Sequence, residues 1–453
     1  MVQSLVKKVN NFFANGHERT LLAKKNIAIS FGLKGLTIIT GLLLVPLTIN
    51  YINPTQYGIW LTLSSVVGWF YFLDIGLANG LKNKLAEANA IGDDSKIKAY
   101  ISTTYAMLLF IAITIFALFF ICNYFWNWNK ILNVHGVSTG NLNTIALIIF
   151  GSFCMQFVLQ VISSILTAFH AIAKVSLIYT IGQFGCLISI YALTRLTNGS
   201  LLYLVISLTC VPLLVQFGAT IYYFKKLYPR FMPSYKVVDI KYAKILLGVG
   251  GVFFFVQIGS LLLFQTDNIV ITQLFGPQKV TVFNIAYKLF SVITMVFTIV
   301  MNPFWTAFTD AYAKKDFTWI ENIFSKLYKY FLILSVIAII LLIFSPFLFK
   351  IWLGNSVKVP FMLSAVMVVY IMGICWMTIH CFFVNGIGKI KLQLYLYIIS
   401  TLINIPIAIF LGKWLGIIGV TLSNILVLLM MGIVLYIQCK KILNNTARGV
   451  WNA

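Results

Sequence analysis

Residues 26–50 read NIAISFGLKGLTIITGLLLVPLTIN, a run in which Lys34 is the only charged side chain. About 20 apolar residues in an α-helix cross a bilayer core of roughly 30 Å. Similar runs recur along the 453 residues, of which 60% are hydrophobic and 9% charged. Backbone polar groups in lipid must be satisfied within the segment, and short stretches of alternating polarity are absent from this sequence. We therefore expect an all-α integral membrane protein.

The apolar runs predict about twelve transmembrane helices in two six-helix bundles. The predicted spans are 26–50, 57–81, 101–125, 143–168, 176–194, 201–224, 245–275, 281–306, 330–349, 361–385, 392–412 and 418–439. The predicted domains are an N-terminal bundle over 1–224, a basic linker over 225–244 and a C-terminal bundle over 245–453. The span 245–275 is long for one helix, and a break near Gly248, Gly250 and Gly251 is an alternative to tilting. The first span is too long for a signal-peptide core and lacks a small-residue cleavage site, so we expect it in the mature protein.

Basic residues in the loops predict the orientation. With a cytoplasmic N-terminus, the inner segments carry 25 lysines and arginines and the outer segments carry 6. The positive-inside rule therefore places both termini in the cytoplasm. The net charge of +23 is spread over short loops instead of one soluble face. We therefore expect attraction to anionic membrane lipids, and no nucleic-acid partner.

The loops leave little room for an enzyme, since the longest outer one covers about residues 126–142. No stretch matches the phosphate-binding pattern GxxxxGK[ST], and GIGKIK at 386–391 lacks both its first glycine and its hydroxyl residue. The four histidines are dispersed, and the seven cysteines form no CxxC pair. We predict a transporter with no catalytic residue, no metal and no cofactor. A membrane glycosyltransferase or polymerase is the minor alternative.

Two lysines reach membrane depth. Lys34 lies nine residues past Lys25, or roughly 13 Å along a helix, and Lys288 lies nine residues past Lys279 from the opposite face. Polar side chains share the helical face of each lysine, which favours an internal hydrated cavity over snorkelling to the interface or ordinary helix packing. The predicted substrate-binding residues are Ser30, Lys34 and Thr37 on the first span, and Asn284, Lys288 and Ser291 on the eighth.

Three further ionisable residues lie in or near spans: Asp74, Asp267 and His380. A buried ionisable side chain usually faces a cavity or a partner, so we expect these residues to serve in coupling or gating. For the acids, pairing with a lysine or hydration at a helix end remains open. Because no ATP site exists in the sequence, we expect transport to draw on a proton or sodium gradient, on consumption of the lipid-linked product by downstream polymerisation, or on both.

An internal similarity relates the two halves. A shift of 223 residues aligns AEANAIGDDSKIKAYISTTY at 86–105 with TDAYAKKDFTWIENIFSKLY at 309–328. The coinciding residues include Asp93 with Asp316 and Ile97 with Ile320. Two parallel repeats with a substrate path between them are a common transporter plan.

Two segments carry a family resemblance: VPLTINYINPTQYGIW at 45–60 and LDIGLANGLKNKLAEANAIGD at 73–93. They resemble the opening of the Wzx-type O-antigen and capsule flippases, polysaccharide exporters of the multidrug/oligosaccharidyl-lipid/polysaccharide superfamily. The resemblance implies twelve helices in a MATE-like arrangement and a cationic inner cavity. It also implies that an undecaprenyl-pyrophosphate-linked oligosaccharide crosses from the cytoplasmic to the periplasmic leaflet of the bacterial inner membrane by alternating access.

Partners implied by the resemblance are the lipid-linked oligosaccharide and the polymerase and chain-length regulator of the same pathway. The alternative is an ion-coupled multidrug or small-molecule antiporter of the same superfamily. A cation exporter needs acids in its cavity, whereas this chain has two lysines at membrane depth, Lys34 and Lys288.

Overall fold

The computed structural model describes residues 18–68, 77–134, 141–169, 171–246 and 266–452. Within these ranges the regular structure is helical and no strand is present. The helices are α1 (Glu18–Tyr51), α2 (Pro54–Gly68), α3 (Leu77–Ile91), α4 (Asp94–Phe125), α5 (Trp128–Ile131), α6 (Leu142–Leu159), α7 (Val161–Ala168), α8 (Ile172–Leu196), α9 (Leu201–Tyr222), α10 (Asp267–Phe275), α11 (Pro277–Ala313), α12 (Phe317–Leu353), α13 (Phe361–Gly386), α14 (Lys391–Leu415) and α15 (Ile417–Leu443).

Ten of the described helical segments are long and apolar enough to cross a membrane. They coincide with ten of the predicted spans, so the prediction of an all-α multi-pass membrane protein is confirmed. The other two predicted spans, 57–81 and 245–275, fall partly on residues 69–76 and 247–265, which lie outside the described residues. The proposed break near Gly248 also lies there. The orientation of the termini stays a prediction.

The chain forms two compact units. The first contains Met1–Tyr51, Phe70–Trp126 and Gly140–Phe254, and the second contains Ile52–Trp69, Asn127–Thr139 and Phe255–Ala453. In the first unit α1 packs against α8, α8 against α9, and α4 against α6. In the second unit α15 packs against α13 and α14, and α11 packs against α2 and α13. The division into bundles at 225–244 stays a prediction.

Helix α2 belongs to the second unit because it packs closely on α11. A Cβ atom on Gly58 would lie 1.8 Å from the carbonyl oxygen of Pro277, so the two backbones touch only because glycine has no side chain. Two hydroxyl contacts hold α2 in this unit: Thr281 Oγ1 of α11 donates to Pro54 O at 2.5 Å, and Thr62 Oγ1 lies 2.7 Å from Thr272 Oγ1 of α10.

The internal similarity corresponds to a repeated turn. The Asp93 side chain accepts a hydrogen bond from Lys96 N and caps α4, and the Asp316 side chain accepts one from Trp319 N and caps α12. The backbone N–H of each aspartate also donates to the carbonyl five residues earlier, at 3.0 Å for Asp93 and 2.9 Å for Asp316. The residues before the caps, Gly92 and Lys315, both have positive φ angles. The aligned sequences therefore build the same helix–turn–helix junction in each unit.

Candidate functional site

Lys34 lies on α1 with an exposed side chain. One turn further along, Thr37 Oγ1 donates to Leu33 O at 2.9 Å and lies 3.0 Å from Thr180 Oγ1 of α8. The polar stripe of the first span is therefore partly a helix–helix contact, while Lys34 itself stays outside that contact. The side chain of Ser30 lies outside the described residues.

Lys288 lies half-buried on α11. The hydroxyl of Ser291 donates to Lys288 O at 3.0 Å, and that of Thr294 donates to Ser291 O at 2.7 Å. Such back-bonding satisfies a hydroxyl within its own helix. The hydroxyl stripe of α11 is therefore compatible with an apolar neighbour and does not by itself mark a hydrated path.

The two lysines belong to different compact units, Lys34 to the first and Lys288 to the second. The ion pairs formed within the described part of the chain join other residues, so neither lysine is neutralised by a carboxylate there. No carboxylate in the described ranges would therefore compete with an anionic ligand for either lysine. Their convergence on one substrate remains a prediction.

Asp267 stands in a buried chain of polar side chains in the second unit. Its Oδ2 accepts a hydrogen bond from Asn424 Nδ2 of α15 at 2.7 Å, and Asn424 Oδ1 accepts one from Asn404 Nδ2 of α14 at 2.9 Å. All three residues are at most 3% exposed. We call Asp267, Asn404 and Asn424 the Asp267 cluster.

The Asp267 cluster keeps unused acceptors. Asn404 Oδ1 and the hydroxyl oxygen of Ser400, one turn earlier on α14, are buried without a hydrogen-bond partner. A buried oxygen left unpaired costs roughly 1–3 kcal/mol, so such groups usually meet a water, a proton or a cation. The second unit therefore holds a buried carboxyl group, that of Asp267, and two buried acceptors without a partner on α14.

A second amide contact flanks the cluster. Asn284 Nδ2 donates to Asn268 Oδ1 at 2.7 Å and to Val280 O at 2.9 Å. Asn284 was predicted to share the face of Lys288, and the structure shows that its amide holds α11 to α10. Helix α10 begins with Asp267 and Asn268, so its first turn contacts α15 through Asp267 and α11 through Asn268.

His380 is fully buried on α13 among aromatic rings. Its Nδ1 lies 3.0 Å from Trp376 O, and its Nε2 lies 2.8 Å from the hydroxyl of Tyr328 on α12. A carbonyl only accepts, so Nδ1 carries the proton and Nε2 accepts from the Tyr328 O–H. The rings of Phe324 and Tyr436 complete the enclosure at centroid distances of 6.2 and 5.6 Å. This arrangement ties α12 to α13, and a role of His380 in gating stays a prediction.

The remaining predicted coupling residue, Asp74, lies outside the described residues. Across the described ranges, no group of three or more His, Cys, Asp and Glu side chains could hold a metal ion.

Asn404 and Asn424 were missed in the sequence because an amide in an apolar span carries no formal charge. Their signal is an uncharged hydrogen-bonding group at membrane depth, in spans 392–412 and 418–439. In lipid such a group needs a partner, so it indicates a polar contact between helices.

Comparison with known proteins supports the same class of protein. A protein of Yersinia pseudotuberculosis named for O-antigen export is 23% identical over 367 residues, which cover 77% of this chain and 79% of the relative. A protein of Salmonella typhimurium strain LT2 named as an O-antigen transporter is 25% identical over 286 residues, covering 62% of this chain and 64% of that relative.

Solved structures show the fold. An inward-facing multidrug resistance MATE family transporter of the MOP superfamily matches with a TM-score of 0.74 and 14% identity, over 93% of this chain and 98% of that one. The lipid II flippase MurJ in an inward closed conformation matches with a TM-score of 0.68 and 15% identity, over 91% and 87%. The prediction of a MATE-like arrangement is confirmed.

Family comparison gives the classification. Residues 253–410 match the MatE family, and residues 23–305 match the family described as polysaccharide biosynthesis protein. The resemblance inferred from residues 45–60 and 73–93 is thereby confirmed. Because the second match covers more than half of the 453 residues, the chain belongs to the polysaccharide biosynthesis protein family.

Proposed function

We propose that this protein is a flippase that moves an undecaprenyl-pyrophosphate-linked oligosaccharide from the cytoplasmic to the periplasmic leaflet for O-antigen or capsule synthesis. The observation that carries the proposal is the family match over residues 23–305, together with relatives named for O-antigen export and transport. The fold shared with a lipid II flippase supports it, because that neighbour is named for flipping a lipid. Under this proposal the protein is a transporter of the bacterial inner membrane with both termini in the cytoplasm.

Lys34 and Lys288 would bind the pyrophosphate during the crossing. A doubly charged group is costly to transfer into a region of low dielectric constant, and a nearby cation lowers that cost. Lysine suits transient binding because its ammonium is a flexible point charge without the bidentate geometry of arginine. The absence of carboxylate partners for both lysines within the described residues is what supports this role.

The Asp267 cluster would couple transport to an ion gradient. A buried carboxylate that receives one amide hydrogen bond favours binding of a proton or a sodium ion, because burial of an uncompensated charge is costly. Binding would neutralise the carboxylate in one conformation and not in the other, which is the differential affinity that a coupled transition needs. Asp74 is the second candidate for this role, and consumption of the product by polymerisation is the other expected driving force.

The protein would hand its product to the polymerase and chain-length regulator of the pathway. The second candidate function is an ion-coupled multidrug antiporter, favoured by the MatE match over 253–410 and the MATE neighbour. A deletion strain distinguishes the flippase from the antiporter. Expression of this chain in a strain lacking its exporter, supplied with a matched repeat unit, should restore surface glycan. Restored drug resistance without surface glycan for any matched repeat unit would overturn the flippase in favour of the antiporter.

A further inference from the structure

The linker between the predicted bundles has two different faces. Six basic residues and one acid, Asp239, lie within residues 225–244. The segment contains a π-helical turn (Tyr223–Leu227) and two 3₁₀ turns (Pro229–Phe231 and Tyr235–Val237), and a further helical segment begins at Ile240.

The inner face of the linker is fixed to the first unit. Ser234 N donates to Ser102 Oγ at 3.0 Å, and Asp239 N donates to Thr103 Oγ1 at 3.2 Å. Both hydroxyls belong to buried residues at the start of α4. The ring of Tyr242 also meets that of Tyr100 edge-on, with centroids 5.0 Å apart. The linker is therefore an ordered strap rather than a free tether.

Aromatic stacking holds the first part of the linker. The ring of Phe169, which follows α7, stacks on Tyr228 at 5.0 Å and on Phe231 at 5.8 Å. These rings are half-buried and face the unit. Between these two rings, Pro229 and Arg230 are exposed.

The outer face is apolar at its centre. Tyr235 is 84% and Ile240 is 68% exposed. The large exposed apolar side chains from the start of the linker to Ile240 are Leu227, Met232, Tyr235, Val237, Val238 and Ile240. Exposed apolar groups gathered on one short segment mark a surface that meets a partner or a membrane. Tyrosine, with an apolar ring and a polar tip, is typical of the membrane–water interface.

Basic side chains flank and interrupt the apolar residues along the segment. The exposed cations are Lys225, Lys226, Arg230, Lys236, Lys241 and Lys244. Within the described residues Arg230 alone among them forms an ion pair, with Asp94 at 3.7 Å. The five lysines thus keep their charge available, and the complementary partner must be anionic.

We propose that the outer face of the linker lies on the membrane surface, with Met232, Tyr235 and Ile240 in the interfacial layer and the five lysines on anionic lipid headgroups. Apolar insertion combined with a polybasic rim is the pattern by which peripheral segments bind anionic leaflets. Since the inner face is bonded to α4, lipid contact at the linker acts directly on the first unit. This inference is independent of the transported substrate.

Fluorescence of a labelled linker tests the proposal in the full-length protein. The background protein has serine in place of Cys122 and Cys210, the two cysteines that are only half-buried. The Tyr235→Cys variant of this protein is labelled with bimane and reconstituted in phosphatidylcholine vesicles with and without phosphatidylglycerol. A lipid that carries a quencher near its headgroup reports contact of the label with the membrane interface. Iodide in the water reports exposure of the label to solvent. The matched control is Asn444→Cys, which is exposed in the polar turn after α15.

We expect the label at position 235 to be quenched by the lipid and shielded from iodide, more so with phosphatidylglycerol, while the label at position 444 is quenched by iodide. Replacing the five lysines with glutamine, or raising the salt so that the Debye length falls from about 10 to about 3 Å, should remove the effect of phosphatidylglycerol. Equal iodide quenching at both positions would overturn the proposal. Lipid quenching at position 235 that does not depend on phosphatidylglycerol would also overturn it. Shielding of position 235 from both quenchers would overturn it as well and would indicate a protein partner.

Discussion

Removal of the Asn424 side chain should reveal whether Asp267 is buried as an anion. Asn424 donates to Asp267 and accepts from Asn404, so Asn424→Ala breaks two buried hydrogen bonds. A bond to a charged group contributes about 1.5–3 kcal/mol and a neutral one about 0.5–1.5 kcal/mol. The single variant should therefore lose roughly 2–4 kcal/mol of unfolding free energy.

A double-mutant cycle isolates the contribution of the Asp267 charge to its hydrogen bond with Asn424. In the background of Asp267→Asn, the same Asn424→Ala change breaks two neutral bonds, and the Asn404 contribution is common to both backgrounds and cancels. The expected coupling between positions 267 and 424 is therefore about 1–1.5 kcal/mol, above the roughly 0.6 kcal/mol average of bonds between membrane helices.

The assay is reversible unfolding of the four proteins in mixed micelles, at mildly alkaline and at acidic pH. Coupling should be present at alkaline pH and fade when acid protonates the carboxyl group. The control is Asn143→Ala, whose amide donates to Asn123 O in the first unit and which should show no coupling to position 267. Coupling near zero at both pH values would refute the view that the cluster holds an ionised carboxylate.

The remaining predictions concern the lysines, the histidine contact and the repeated turn. Lys34→Ala or Lys288→Ala should abolish surface glycan at matched protein level, Lys→Arg should keep part of it, and full activity of the double alanine variant would refute a role in substrate binding. Tyr328→Phe removes the donor to the buried histidine Nε2 and should cost about 1–3 kcal/mol in unfolding free energy. If His380 serves in gating, the same change should shift the pH profile of transport, and an unchanged profile would contradict that role. Asp93→Ala and Asp316→Ala should lower the thermal midpoint by similar amounts because both remove a helix N-cap, and unequal losses would contradict the repeat. Hydrogen bonds from the Lys96 side chain and then from the Lys96 backbone N–H lower the pKa of Asp93. The contribution of Asp93 should therefore be complete above the pKa of the unfolded chain and be lost as pH falls through the folded pKa.

Hydropathy predicted the helices well because bilayer thickness imposes one length scale on every apolar run. It could not give the helix ends, since a helix continues into water wherever its polar residues allow. Helix α12, predicted from residues 330–349, extends over Phe317–Leu353 because Asp316 caps it in the polar turn. The packing of α2 with the second unit was also not predictable, because it depends on the close approach of Gly58 to Pro277 O.

For the candidate site, the sequence indicated charged residues but not their partners. Asp267 was found because a carboxylate in an apolar span is conspicuous, whereas its donor Asn424 lies 157 residues away. Helical periodicity grouped Thr37 with Lys34 on one face but could not reveal that Thr37 contacts Thr180 of α8. Periodicity defines a face of a helix, and only tertiary structure decides whether protein, lipid or water meets that face.

Transfer of a lipid-linked oligosaccharide between leaflets by the purified protein tests the central claim most directly. Proteoliposomes loaded with an undecaprenyl-pyrophosphate-linked repeat unit in both leaflets are treated from outside with a glycosidase that cannot cross the membrane. We predict that the whole pool becomes cleavable with the wild-type chain, and that only the outer half does with the Lys34→Ala, Lys288→Ala variant. The account would be contradicted if the wild-type chain allowed cleavage of the outer half only. That result would have to hold for every matched repeat unit, with a proton or sodium gradient in either direction.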